Sequence, residues 1–433
     1  MTTLGSTDAS RWVAGWIPLP AVDPLAGADA FGEPSVYWER PLAREAAAGW
    51  GEAGTREATS PARAQAVLKE LSAPDTVRWL EAPPAGLPGP WFGGMRFSAS
   101  GQDAGWSPFG FGRWTLPETL VWRTERGLAL AVFAPEGPGA EDRVRSRLSR
   151  MGSAFPSGHR HPRGTPQTLR VSSPRPDFEE RVERAVEAIR AGNLLKVVLA
   201  RAVEVEAEHD FDRVDTLARL REQNPRCATF LFQAPDGTAF LGATPETLCR
   251  LEGRLLETEA LAGSASPARS GELGSSDKDR REHEAVVSYI LETLQPLAER
   301  LDADREPSLL PLKNVVHLRT GIRAGLREGV GVAELVAALQ PTPAVGGTPR
   351  ALALEFIATH ESLDRGWYAG PVGWVGPGRA HQVVALRSAR VKARQARLFV
   401  GAGIVAGSRA EAEWHETEMK GLAMLRALGG GHV

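Results

Sequence analysis

Two groups of acidic residues have the types and spacing for metal-assisted chemistry. In DKDRREHEAVVSYILETL (277–294), Val286, Ile290 and Leu294 form an apolar stripe at helical spacing, and stepping back four and then three residues reaches Glu282 and Asp279. Both carboxylates continue that buried stripe. In SRAEAEWHETEMKGLAML (408–425), Ser408 followed by Glu411 resembles a capping box that opens a helix, which puts Glu413, Glu416 and Lys420 on one face. Acidic pairs on two helices suit a hard cation such as Mg²⁺, which takes a few carboxylates together with waters and a substrate oxygen. Taken separately, each is also what any helix start carries to complement its dipole.

Three further features concern charge and backbone shape. Lys196 lies in the apolar run 194–200, where period two gives it the face of Leu194, Val198 and Ala200. An ammonium there is costly to desolvate, so a neutral amine becomes available as a base; the alternative is an edge-strand lysine that blunts aggregation. Arg387, read as mid-strand in VVALRSARV, offers a fork for a carboxylate or for a structural ion pair. GAGIVAG (401–407) follows an apolar strand and suits close approach of backbone N–H groups to an anion, while PTPAVGGTP (341–349) is a loop fixed by proline and glycine.

The elements that must hold these residues are mostly strands. DFEERVERAVEAIRAGN (177–193) carries Val182, Val186 and Ile189 at helical spacing and ends in glycine and asparagine, a natural stop. Apolar runs then follow with short turns between them: KVVLARAVEVE, ATFLFQ, AFLGA, RLLETEAL, NVVHLRTGIRA, AGPVGWVG, HQVVALRSARV and RLFVGAGIV. Short turns favour antiparallel pairing over βαβ crossovers, so the class is α+β with large antiparallel sheets flanked by helices. Residues 1–150 read as β-rich, with helical patches near Ala47 and Ala66; 151–176, rich in Ser, Gly, Pro, His and Arg, as an exposed connection; and 177–433 as the catalytic region.

Lys plus Arg number 51 against 53 Asp plus Glu in 433 residues, so nothing draws the chain to nucleic acid or a membrane surface. Two cysteines, Cys227 and Cys249, are too few for a disulfide framework. No leader-like or membrane-spanning segment is evident, and a cytoplasmic protein with a small-molecule partner is expected.

In this order, KVVLAR (196–201), GATPE (242–246), EALAGS (259–264), the DxxEH run from Asp279 to His283, PTPAVGGTP, AGPVGW (369–374), the segment holding Arg387, GAGIV (401–405) and EWHETEMK (413–420) resemble the chorismate-binding enzyme family. VYWERP (36–41) is similar to the aromatic strand near the start of such synthases. The resemblance implies one α/β body of two antiparallel sheets, so that 1–150 belongs to the same body as 177–433. A lysine at the position of Lys196 implies water as nucleophile, which points to isochorismate synthases, with salicylate synthase, anthranilate synthase component I and an inactive chorismate-binding module as alternatives. Ala262 stands where aminodeoxychorismate synthases carry a nucleophilic lysine. Thr244 and Ala260 depart from the common serine and proline, and neither removes a reacting group.

By the same resemblance Lys196 is the base and Glu246 the acid. Mg²⁺ is held by Glu282 and Glu416, with Asp279 and Glu413 acting through water. Arg387, Tyr368, Lys420 and the backbone of Gly401 and Ala402 hold the substrate carboxylates, and His317 lies close to the ring. Ala344, Val345 and Thr348 shape the choice between isochorismate and salicylate formation. Chorismate is the expected small-molecule partner, with no obligate protein partner. Isochorismate starts both menaquinone and catecholate siderophore synthesis, and the sequence leaves that choice open.

Overall fold

The computed structural model describes residues 11–429 except 75, 100, 102, 125–126, 165–166, 266–267, 269, 274–276 and 314, together with the side chains at 264, 270, 272 and 277–279. Asp279 therefore lies outside the described side chains.

Two large antiparallel sheets make up the body, with helices against them. The first, of 13 strands, runs in the order Leu169–Ser172, Lys196–Ala207, Gln395–Ile404, Ser388–Lys392, Ala239–Thr244, Ala228–Gln233, Val36–Arg40, Glu45–Trp50, Thr119–Thr124, Gly127–Pro135, Trp12–Leu19 and Val77–Trp79, and Gly347–Thr348 pairs beside Lys196. Among the described residues its last pair alone is parallel. The second, of 10 strands, runs Ala298–Ala303, Val316–Leu326, Leu255–Ala265, Thr247–Glu252, Arg379–Val384, Pro371–Gly376, Trp91–Met95, Gly112–Leu116 and Gly54–Ala58, with Ser308–Pro311 also on Val316–Leu326. Both sheets draw strands from either side of residues 151–176. Ala228–Gln233, for example, pairs directly with Val36–Arg40.

The sheets meet through large aromatic rings. Trp12 of the first lies 5.0 Å from Trp91 of the second, and Trp38 lies 5.0 Å from His381, both edge to face. The helix Asp277–Leu294 turns Val286, Ile290 and Leu294 inward, all at most 1% exposed, as its stripe requires. Arg175–Arg190 likewise buries Val182, Val186 and Ile189, and the chain leaves it through Gly192 at φ +81°.

Five local expectations change. The alanine run near Ala47 is the strand Glu45–Trp50, because pairing on both sides and full burial of Ala46 to Ala48 override helix propensity. Ser408 does not cap the last helix. That helix, Ala410–Ala427, starts after Arg409, and the Ser408 hydroxyl instead accepts from Val405 N–H at 3.1 Å. Arg387 lies between two strands rather than within one, and Gly401 to Ile404 belong to a strand rather than following it. Within 151–176, Met151 ends a buried helix face, Arg160 is buried, and Leu169–Ser172 forms an edge strand; much of the remainder is exposed.

Candidate active site

The chain crosses between the sheets twice at neighbouring points. Ala239–Thr244 belongs to the first sheet and Thr247–Glu252 to the second, so Glu246 sits in one crossing. Arg379–Val384 and Ser388–Lys392 are divided the same way, and Arg387 sits in the other. Backbone and hydroxyl bonds join the crossings: Val384 N–H donates to Glu246 O at 3.0 Å, the Thr244 hydroxyl to Val384 O at 2.6 Å, and Ala243 N–H to Arg387 O at 3.3 Å. Arg387 turns at φ +48°, an uncommon conformation for a side-chain-bearing residue, and this redirects the chain between sheets.

Beside the crossings opens a pocket lined by Lys196, Glu246, His317, Ala344, Val345, Tyr368, Arg387, Gly401 and Lys420, with Glu282, Glu413 and Glu416 also on its wall. Residues drawn from both sheets and two helices thus converge. Strand alternation sends the Ala402 side chain into the core, between Gly401 and Gly403, which face the pocket, so only its backbone is left to serve there.

The amine and the carboxyl are held differently. Lys196 begins its strand paired with Thr348, is 8% exposed, and places Nζ 2.6 Å from Glu282 Oε1. Gly403 makes this possible, since a Cβ there would lie 2.9 Å from Lys196 Cε. Glu246 is 6% exposed, and burial, reinforced by the nearby Glu259 charge, pushes its carboxyl up to about 8 against the lowering pull of Lys196, Thr342 and Lys420. It therefore keeps its proton at neutral pH.

The cationic side of the pocket is similarly defined. His317 is pushed down to about 3 by burial and by the positive charges of Arg387 and Lys420, so it is a neutral imidazole. Arg387 Nη2 lies 3.2 Å from His317 Nε2, and because arginine only donates, the proton is assigned to Nδ1, where the Gly263 backbone is the partner. Burial also lowers Arg387 from its ordinary value, and its fork on the pocket wall is suited to an incoming carboxylate. Tyr368 stacks on Phe399 at 5.4 Å between ring centres, and its hydroxyl faces Gly401.

The acidic wall offers only oxygen donors. Glu282 carries the Lys196 ammonium, and Glu416 carries Lys420 Nζ at 2.6 Å, so each already faces one positive charge. Among the described residues no three Asp, Glu, His or Cys side chains are gathered closely enough to enclose a metal. Mg²⁺ needs no such cage: one or two carboxylates, waters and a substrate oxygen suffice, and this donor set fits it.

Three contributors carry no signal in isolated segments. Arg365, in the pocket wall, makes a buried pair with Glu361, Nε to Oε1 2.6 Å, and donates to Val198 O at 2.7 Å and Val345 O at 3.0 Å. Glu361 Oε2 in turn accepts from Ala200 N–H at 2.8 Å. This pair ties the lysine strand to the 342–346 loop. Its i,i+4 spacing was the available clue. Gly403 and Glu259 lie within quoted motifs but act through contacts that the motifs do not display.

An α+β body of two large antiparallel sheets flanked by helices is the fold of the chorismate-utilising enzymes. The chain belongs to the chorismate binding enzyme family, whose model matches residues 3–429. It is 35% identical over 434 residues to the salicylate biosynthesis isochorismate synthase of Pseudomonas aeruginosa, covering 94% of this chain and 88% of that one. The solved structure of MenF, the menaquinone-specific isochorismate synthase from Escherichia coli, matches with a TM-score of 0.78 at 31% identity, over 96% of this chain and 94% of the other. Anthranilate synthase component I from Streptococcus pneumoniae, at 21% identity and TM-score 0.69 over 90% of this chain and 92% of that one, shares the fold. No helix among the described residues is long and apolar enough to cross a membrane.

Proposed function

We propose that this chain is a Mg²⁺-dependent isochorismate synthase, acting on chorismate in the pocket at the two sheet crossings. The observation that carries the reading is the pairing of Lys196 with Glu246 in one pocket, the latter a carboxyl that keeps its proton near neutral pH.

Moving a hydroxyl from C4 of chorismate to C2 needs a base for the attacking water and an acid for the departing hydroxyl. Lys196, once the proton of its resting ion pair with Glu282 has passed to solvent, takes a proton from water as its oxygen bonds to C2. The ring double bonds shift, the C4–O bond breaks, and Glu246 supplies the proton with which that oxygen leaves as water. The charges left on Lys196 and Glu246 are reset by proton exchange, and the reaction is reversible by the same groups. Arg387 and Lys420 hold the substrate carboxylates, Tyr368 contributes its hydroxyl beside Gly401, and neutral His317 stands near the ring without adding charge. Glu282 and Glu416 would hold Mg²⁺, with Glu413 and Asp279 assisting through water. The bound ion would supply positive charge for the ring carboxylate.

Incubating the protein with chorismate and Mg²⁺, with and without a chelator, and resolving products by chromatography with parallel pyruvate detection tests this reading. Isochorismate without pyruvate, lost on chelation, is expected. Stoichiometric pyruvate with salicylate would move the chain to salicylate synthases, and unconsumed chorismate would overturn the assignment. A menaquinone-specific isochorismate synthase and one described as 2,3-dihydroxybenzoate-specific are both structurally similar to this chain, so the use of the product is a matter for the producing cell.

A further inference from the structure

Glu259 has no place in the steps above, yet its contacts lead straight to the acid. It lies on the strand Leu255–Ala265 and, with Thr247 and Arg319, lines a second cavity that meets the pocket at Pro245. Its Oε1 accepts from the N–H of Thr247, the residue after Glu246, at 3.0 Å. Its Oε2 receives Arg319 Nε at 2.5 Å, from the neighbouring strand Val316–Leu326, on which Arg319 pairs with Leu261. Only 10% of the Glu259 side chain is exposed, against 43% for Arg319.

We propose that Glu259 is a positioning residue for the acid: it grips the backbone beside Glu246 and sets a second carboxylate behind it, so that Glu246 carries its proton into the reaction. The inference rests on the reading of Glu246 as the acid. Other charged groups face Glu246 from the remaining walls: Lys196 from the first sheet and Lys420 from the last helix. Both favour its ionised form, and Thr342 of the proline-rich loop does the same by hydrogen bonding. Against two lysines, burial alone has a strong opponent. Glu259 is the neighbouring negative charge that opposes them, and its partner Arg319 sits on the far side, toward solvent.

Glu259→Gln tests the proposal because it keeps an oxygen for Thr247 and removes the charge. The readout is the pH midpoint at which Glu246 ionises, taken from the difference in unfolding stability between each protein and its Glu246→Gln counterpart. This midpoint needs no turnover, so failure of the chorismate reading would not be mistaken for failure of this one. The expected result is a midpoint about one pH unit lower in Glu259→Gln, matched by an earlier alkaline fall in turnover. An unmoved midpoint would overturn the proposal, even if turnover were lost. Arg319→Gln provides the second arm: it strips Glu259 of its counter-charge and is expected to move the midpoint upward, and no movement there would equally overturn it.

Discussion

Replacing Glu246 with glutamine should make the protein more stable as pH rises, although it removes the acid. A carboxyl lifted from its ordinary 4.5 to about 8 is about 5 kcal/mol harder to ionise in the folded protein than in the unfolded chain. Between those two values the unfolded state has lost the proton and the folded state has kept it. The folded state thus binds more protons, and stability falls with rising pH by up to about 1.4 kcal/mol per pH unit, levelling off above 8. Glutamine has no such dependence. Urea unfolding of both proteins from pH 5 to 8.5 should show the variant gaining about 3 to 4 kcal/mol on the native chain across the range, since other titrating groups cancel in the difference. Turnover of chorismate by the native chain should fall above pH 8, about tenfold per unit, as the acid loses its proton. A stability difference that stays flat to within about 1 kcal/mol would refute the assignment of a protonated carboxyl at this position.

Other residues make separate predictions. Gly403→Ala puts a methyl 2.9 Å from Lys196 Cε and 3.8 Å from Glu282 Oε1, so kcat should drop by roughly tenfold or more with little change in melting temperature; an unaltered kcat would show that the amine has room to move. Glu361→Ala leaves the buried Arg365 charge unpaired and should destabilise the fold by about 3–5 kcal/mol in denaturant titrations, whereas a loss under about 1 kcal/mol would contradict the clamp described here. Glu416→Gln should raise the Mg²⁺ concentration for half-maximal turnover by at least about tenfold, and an unchanged requirement would remove this carboxylate from the proposed metal set.

The fold class was legible because strand after strand alternates or runs apolar between short turns, a signal that survives without knowledge of partners. Lys196, Glu246, His317, Tyr368, Arg387 and Lys420 were found through motif order, and they come together in one pocket. What escaped was conformation and distance. VVALRSARV is β-favouring on both sides of Arg387, so nothing in composition marks the left-handed turn that separates two sheets. The run at Ala46 to Ala48 has helix propensity, but its small side chains are placed by sheet packing. Ser408 has capping chemistry, which it spends on Val405 rather than on the helix. Arg365 reaches Val198, 167 residues away, and no local pattern encodes that contact.

Running the reaction in ¹⁸O-labelled water and analysing isochorismate by mass spectrometry tests most directly whether Lys196 and Glu246 catalyse water addition at C2 with departure of the C4 hydroxyl. One ¹⁸O per isochorismate, located on the C2 hydroxyl and absent when Lys196→Ala abolishes turnover, is the predicted result. Isochorismate formed without label would mean that the hydroxyl migrates within the substrate and would contradict the acid and base roles assigned here.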